Sequence, residues 1–189
     1  MEDDEPPPLF EDALRRAVER AEEKLEQDCG ITVHTHLSDR LIAQLEGIDH
    51  EKFRRELWYD REELREKFGR AGFYCLLVSL NDEPIAYDFG YDDAEEGVYF
   101  SDSSATMIEK KGVGTVLAVL ELVYLYERGY SAVKFTTEEL DQAGRPLRLI
   151  WEKRGYRTVS SDPLTGVTMM LEITADVVNE RIEKYIHVV

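Results

Sequence analysis

Positive charge is scarce in this sequence: 23 Lys and Arg stand against 40 Asp and Glu, for a formal net charge of -17. Such a field repels phosphate backbones and anionic headgroups, which argues against nucleic acid or membrane as the main partner and fits either cationic partners or solubility alone. Cysteine is nearly absent too. Cys29 and Cys75 are too few for a disulfide framework and too far apart for a Cys-x-x-Cys metal clip, a usage that reads as reduced thiols in a cytoplasmic protein. No apolar run approaches the roughly 20 residues that a membrane span needs. The opening Met-Glu-Asp-Asp-Glu-Pro-Pro-Pro is the opposite of a signal peptide, so the expectation is a soluble intracellular protein.

With 43% hydrophobic residues in 189, the chain has enough apolar material for one domain with a sizeable core. Residues 1–8 are acidic and proline-rich and read as a disordered tail. Leu14, Ala17, Val18, Ala21 and Leu25 recur at helical spacing, predicting an amphipathic helix from Leu9 to about Asp28 that Cys29-Gly30 stops; residues 9–30 are thus an amino-terminal helical extension. Ile31 to His36 alternates like a strand, with helices expected over Asp39–Leu45 and Glu51–Phe68. Phe73–Leu80 and Pro84–Tyr91 flank Asn81-Asp-Glu as a hairpin, and Asp92–Glu96 is a turn. A strand follows from Val98 towards Met107, with an unusually polar centre, Ser101-Asp-Ser-Ser. Beyond the glycine-led helix that ends at Arg128-Gly129 come a strand over Ala132–Thr137 and a short helix over Pro146–Lys153. A final hairpin pairs Tyr156–Val159 with Val167–Ile173 about Ser160-Ser-Asp-Pro, and Val177–Tyr185 adds a terminal helix within a carboxy-terminal segment 175–189.

The stretch that carries chemistry is Glu109-Lys-Lys-Gly-Val-Gly-Thr, opening an apolar helix. Two glycines one residue apart let the backbone turn its amides into one concavity, and the helix adds its unsatisfied amino-terminal N–H groups, so an anion would sit well there. Lys110 and Lys111 reverse the local sign of charge. A dinucleotide fingerprint is not met, because Leu117 holds the place of the third glycine, and the Gly-Lys-Ser/Thr of a P-loop is missing. Either the turn cradles a phosphate or it merely punctuates the start of a buried helix.

Lys111-Gly-Val-Gly-Thr, the long helix ending in Arg-Gly-Tyr, a strand, and then Leu149-Ile-Trp-Glu-Lys-Arg-Gly-Tyr together resemble the GNAT family of N-acetyltransferases. The similarity spans residues 31–174. The resemblance implies an α/β domain with a mixed, mostly antiparallel sheet flanked by helices and splayed where acetyl-CoA binds. It implies that Lys110, Lys111, Gly112, Val113, Gly114 and Thr115 wrap the pyrophosphate, that Ala105, Thr106, Met107 and Ile108 form the strand end beside the pantetheine arm, and that Trp151 packs against the cofactor or the core. No metal is called for, and a homodimer is left open. The acceptor would be a primary amine of a cationic small molecule or protein, attacking the thioester directly. An acidic group working through water would take its proton, with Glu95, Glu96 and Asp102 as candidates.

Three positions depart from the family pattern. Glu109 stands where Gln or Arg is usual, Gly144 replaces a common Asn, and Trp151 replaces a Tyr that often protonates the departing thiolate. A second reading follows from them: a non-catalytic acyl-CoA-binding or interaction module on the same fold. His34 and His36 share one face of a strand but lack further ligands, and a solvated polar face accounts for them better than a metal does.

Overall fold

A computed structural model describes residues 10–140 and 144–186; the predicted tail 1–8 and the helix start at Leu9 lie outside the described residues. The elements run α1 (Phe10–Leu25), β1 (Cys29–His34), α2 (Asp39–Lys52), a 3-10 turn (Arg55–Leu57), α3 (Arg61–Phe68), β2 (Tyr74–Leu80), β3 (Glu83–Asp92), β4 (Val98–Thr106), α4 (Val113–Glu127), β5 (Ala132–Thr137), α5 (Leu147–Glu152), β6 (Arg157–Asp162), β7 (Gly166–Glu172) and α6 (Ala175–Tyr185). They form one 7-stranded sheet in the order β1-β2-β3-β4-β5-β7-β6. Every neighbouring pair is antiparallel except β4 and β5, which are parallel. This is the mixed, mostly antiparallel sheet flanked by helices that the resemblance implies.

The break in the sheet positions everything else. β4 pairs with β5 only through Val98↔Ala132, Tyr99↔Val133 and Phe100↔Lys134, and beyond Phe100 the two strands part. A bulge sits at the parting point: Gly90 and Phe89 of β3 oppose Ser101 and Ser103, leaving Asp102 as the extra residue. A bulge bends its strand and increases the local twist, which swings the second half of β4 away from β5. Gly90 makes the crossing feasible, since a Cβ there would lie 2.2 Å from the Phe100 carbonyl oxygen and 2.6 Å from the Tyr99 ring.

Helices cover both faces. On one side α4 is apolar around most of its circumference because it lies between the sheet and α1, burying Val113, Val116, Leu117, Leu120, Val123 and Tyr124. Ala13, Ala17 and Ala21 of α1 are small enough to bring the two helices close, and α6 joins them through Val178 and Ile182. On the other side Leu41, Ile42, Leu45 and Ile48 of α2 and Leu64 and Phe68 of α3 close over Phe73, Leu77, Tyr87 and Phe89.

Several predicted boundaries move, each for a local reason. The first helix stops at Leu25, where Glu26 turns left-handed (φ 56), and Cys29-Gly30 opens β1 by pairing with Leu80 and Ser79 instead of ending the helix. The predicted division of 39–68 shifts as well. Helix α2 runs through Gly47 to Lys52, whereas Asp60 and Glu63 form a reciprocal capping box that delays α3 to Arg61. In the last hairpin β6 extends to Asp162, whose carboxylate accepts the N–H groups of Leu164 (2.8 Å) and Thr165 (3.0 Å) to close a later turn than predicted. Among the described residues no helix is long and apolar enough to cross a membrane.

Candidate active site

The open side of β4 faces the amino end of α4. Lys110 and Gly112 both take positive φ (61° and 84°), reversing the chain so that Gly112 caps α4 and the first N–H groups of the helix point into the gap. A Cβ on Gly114 would meet nothing nearer than Thr106 Cγ2 at 4.0 Å, so the space beside this turn is open. Lys24, at the end of α1, overhangs it, with Nζ 2.9 Å from the position of a Cβ on Gly112. Lys111 Nζ in turn donates to the Lys24 carbonyl at 3.4 Å. Lys24, Lys110 and Lys111 thus gather positive charge at the mouth of the gap in an acidic protein.

Thr106 ends β4 by bonding both the carbonyl (3.1 Å) and the N–H (3.2 Å) of Ile108 through its hydroxyl, while the Met107 N–H is engaged by Ile85. Among the described residues, no strand pairs with the β5-facing edge of β4 from Ser101 to Thr106. Glu109 turns away from the amide cradle: its carboxylate is 3.0 Å from Lys52 Nζ and exposed, and that ammonium holds it below the usual carboxylate range. Across the gap, Thr115, Ala118, Val119, Trp151, Arg154 and Tyr156 line a cavity that also reaches Arg181 of α6. Trp151 lies edge-on to Phe135 (4.7 Å) and Tyr156 (5.3 Å), and the Arg154 guanidinium covers its ring at 4.9 Å.

The bulge sends Asp102 and Ser103 both to the side covered by α2 and α3. Asp102 accepts from Lys67 Nζ at 2.8 Å and from the Tyr59 hydroxyl at 3.3 Å. Ser103 Oγ is 2.9 Å from the Tyr87 hydroxyl, which donates to the buried carboxylate of Asp49. Burial pushes Asp49 above the usual carboxylate range, against the pull of Tyr87. The opposite face holds a second pair of acids, Asp88 of β3 and Glu121 of α4. Ser101 Oγ approaches Asp88 at 3.5 Å, while among the described residues Glu121 Oε1 and the buried hydroxyl of Tyr74 have no hydrogen-bond partner. Burial raises Asp88 to about 7 and pushes Glu121 well up, with Asp88 adding to the effect.

No protein-family model matches the sequence, and no curated protein matches it. Solved structures do. The ribosomal-protein-S18-alanine N-acetyltransferase from Escherichia coli superposes with a TM-score of 0.61 at 12% identity, over 77% of this chain and 95% of that one. PaiA N-acetyltransferase from Thermoplasma acidophilum, solved in complex with coenzyme A, gives 0.61 at 13% identity over 76% and 99%. An aminoglycoside 6'-N-acetyltransferase from Enterococcus faecium gives 0.62 at 15% identity over 77% and 97%. The fold is that of the GNAT N-acetyltransferases. At such identities the likeness is one of fold.

On the GNAT fold the predicted residues separate into two groups. Ala105–Ile108, Lys110–Thr115 and Trp151 surround the gap, and Asp102 stands at its apex. Glu95 and Glu96 are carried elsewhere, to the turn before β4; at about 3.3 Å per residue that turn lies more than ~20 Å from Thr106. Glu95 is exposed there and pairs with Lys134 Nζ at 2.7 Å, and Glu96 is exposed. Lys24, Asp49 and Tyr87 join the site unannounced by any motif; the polar Ser101-Asp-Ser-Ser, which holds the Tyr87 partner Ser103, was the one signal. His34 and His36 contact Thr32 and Thr35, and among the described residues no cluster of three His, Cys, Asp or Glu could hold a metal.

Proposed function

We propose that the protein is an acetyl-CoA-dependent N-acetyltransferase acting on a cationic amine in the cytoplasm. The observation that carries this reading is the glycine-capped amino end of α4 facing the gap where β4 leaves β5. The fit is physical: Gly114 leaves the backbone approachable, three lysines offset the negative field, and Glu109 is held aside by Lys52. The amides of Lys111–Gly114 and the ammonium groups of Lys24, Lys110 and Lys111 would hold the pyrophosphate, the Thr115 N–H being bonded to the Gly112 carbonyl, and the end of β4 at Ala105–Ile108 would flank the pantetheine arm. Acetyl-CoA, when bound, supplies a thioester for attack by a neutral amine, forming the N–C bond and releasing the thiolate. Backbone N–H groups of the β4 edge would polarise the carbonyl.

Of the three candidate carboxylates Asp102 lies on the strand that borders the gap, and its ion pair with Lys67 supports a role in holding an ammonium. The proton of the reacting amine then leaves through Ser103 Oγ and the Tyr87 hydroxyl to Asp49, whose burial makes it a stronger base than an exposed carboxylate. The buried thiols of Cys29 and Cys75 fit a reducing compartment. The second reading, an acyl-CoA-binding module without chemistry, is favoured by Trp151, whose indole has no titratable proton for the leaving thiolate.

Acetyl-CoA should raise the melting temperature, by about 2.7 kcal/mol of stabilisation at a hundredfold excess over Kd. NAD and ATP should do far less. A flat response at millimolar acetyl-CoA would overturn the enzyme and acyl-CoA-binding readings and leave an interaction module on the same fold. Thermal stabilisation without thiol release across a panel of diamines, peptides and aminoglycosides would leave only the binding module.

A further inference from the structure

Beside the bulge where β4 leaves β5, on the α2 and α3 side, the protein holds an alkyl ammonium of its own. Lys67, in the last turn of α3, places Nζ 2.8 Å from Asp102 Oδ2, 4.8 Å from the centre of the Tyr59 ring and 5.8 Å from that of Tyr91. Tyr59 also donates its hydroxyl to the same carboxylate oxygen at 3.3 Å. The side chains of Asp102 and Lys67 are only 9% and 19% exposed. One carboxylate and two aromatic faces surround a part-desolvated cation as an ammonium-binding box, with the Arg70 guanidinium also covering the Tyr91 ring at 4.4 Å, because ring quadrupoles and a carboxylate both attract positive charge.

The placement of the box is as telling as its composition. Asp102 is the bulged residue, two positions past the last β4–β5 pair at Phe100. It is three residues, or about 10 Å, from Ala105 on the open edge. A linear diamine or polyamine spans that distance, with one nitrogen at the edge of β4 and another in the box. The charge of Lys67 is carried on a flexible stem at the end of a short helix, and retraction of that stem opens the box without moving the sheet.

We propose that Asp102, Tyr59 and Tyr91 form an alkyl-ammonium subsite for a linear di- or polyamine, and that Lys67 fills it until the amine displaces it. The subsite deepens the acetyltransferase reading by naming its acceptor class, and the amine is bound whether or not acetyl transfer follows.

The test is calorimetric titration with 1,6-diaminohexane and with spermidine, in the absence of acetyl-CoA. Lys67→Met keeps the length of the stem and removes the competing charge, so it should bind these amines about tenfold more tightly than the parent, a change of ~1.4 kcal/mol. Asp102→Asn should abolish binding in both backgrounds. Equal affinity of parent and Lys67→Met, or undiminished binding by Asp102→Asn, overturns the proposal. Should Lys67→Met fail to fold, the parent labelled with 13C-lysine still decides: the Lys67 Cε resonance must move towards a solvent-exposed position as either amine is added, and an unmoved resonance at millimolar amine overturns the subsite. Failure here with a retained thermal response to acetyl-CoA removes the acceptor class alone, whereas loss of the acetyl-CoA response removes the enzymatic reading.

Discussion

Tyr87 and Asp88 are neighbours on β3, and they face opposite sides of the sheet. Tyr87 enters a connected polar chain between Asp49 and Ser103, beside the ion pair of Asp102 and Lys67. Asp88 enters a buried layer under α4, where its companion Glu121 is a second acid and, among the described residues, neither has an ion pair. One face gives its carboxylates hydroxyl and ammonium donors, whereas the other offers Asp88 one long hydroxyl contact from Ser101. Burial raises both acids beneath α4 above the usual carboxylate range.

The largest expected effect separates the cofactor side from the acceptor side. Gly114→Asp adds a carboxylate and a Cβ beside the amide cradle, and coenzyme A binding should fall below detection by titration. The nearest atom to that Cβ is 4.0 Å away, and an acidic residue in the first turn suits the helix dipole, so circular dichroism and amine binding should match the parent. A folded Gly114→Asp protein that binds coenzyme A as the parent does would make the glycine turn structural punctuation.

The next effect sharpens the contrast between the two sets of acids. Asp88 titrates at about 7 in the folded protein against roughly 3.9 in an unfolded chain. The native state therefore binds more protons than the unfolded state between these values, and stability falls as pH rises from about 4 through 7, by up to about 4 kcal/mol. Asp88→Asn should make this slope shallower, leaving the part that the buried Glu121 carries. Urea unfolding of both proteins at pH 5 and pH 8 reads the difference directly, and an equally steep loss in the variant would show that another group carries it.

A smaller and more local effect belongs to the opposite face. Tyr87→Phe removes the link between Ser103 and Asp49, and should lower kcat about a hundredfold with KM little changed. The acid limb of the kcat profile should also move to higher pH, since the hydroxyl that lowers the Asp49 value is gone. A fall in stability with an unmoved pH profile would make the chain structural.

Most of the elements were legible in the sequence because their causes are local: alternation in β2 and β3, the Asn81-Asp turn, the apolar run of α4, and the glycines that start it. The errors were local too, where the Asp60–Glu63 capping box outweighed the periodicity of 51–60 and where pairing with β2 recruited Cys29 and Gly30. The candidate loop was legible for the same reason, since an amide cradle is made by consecutive residues.

The partners of that loop were decided by tertiary structure. Lys24 reaches Gly112 because alanines bring α1 against α4, Lys52 holds Glu109 because α2 ends beside it, and Lys67 finds Asp102 because a bulge opposite Gly90 turns that residue towards α3. The same bulge parts β4 from β5 and so creates the gap. Residue pattern determines which backbone forms and where it can turn. Which distant side chains meet depends on strand register and on how closely helices approach, and those are properties of the packed whole.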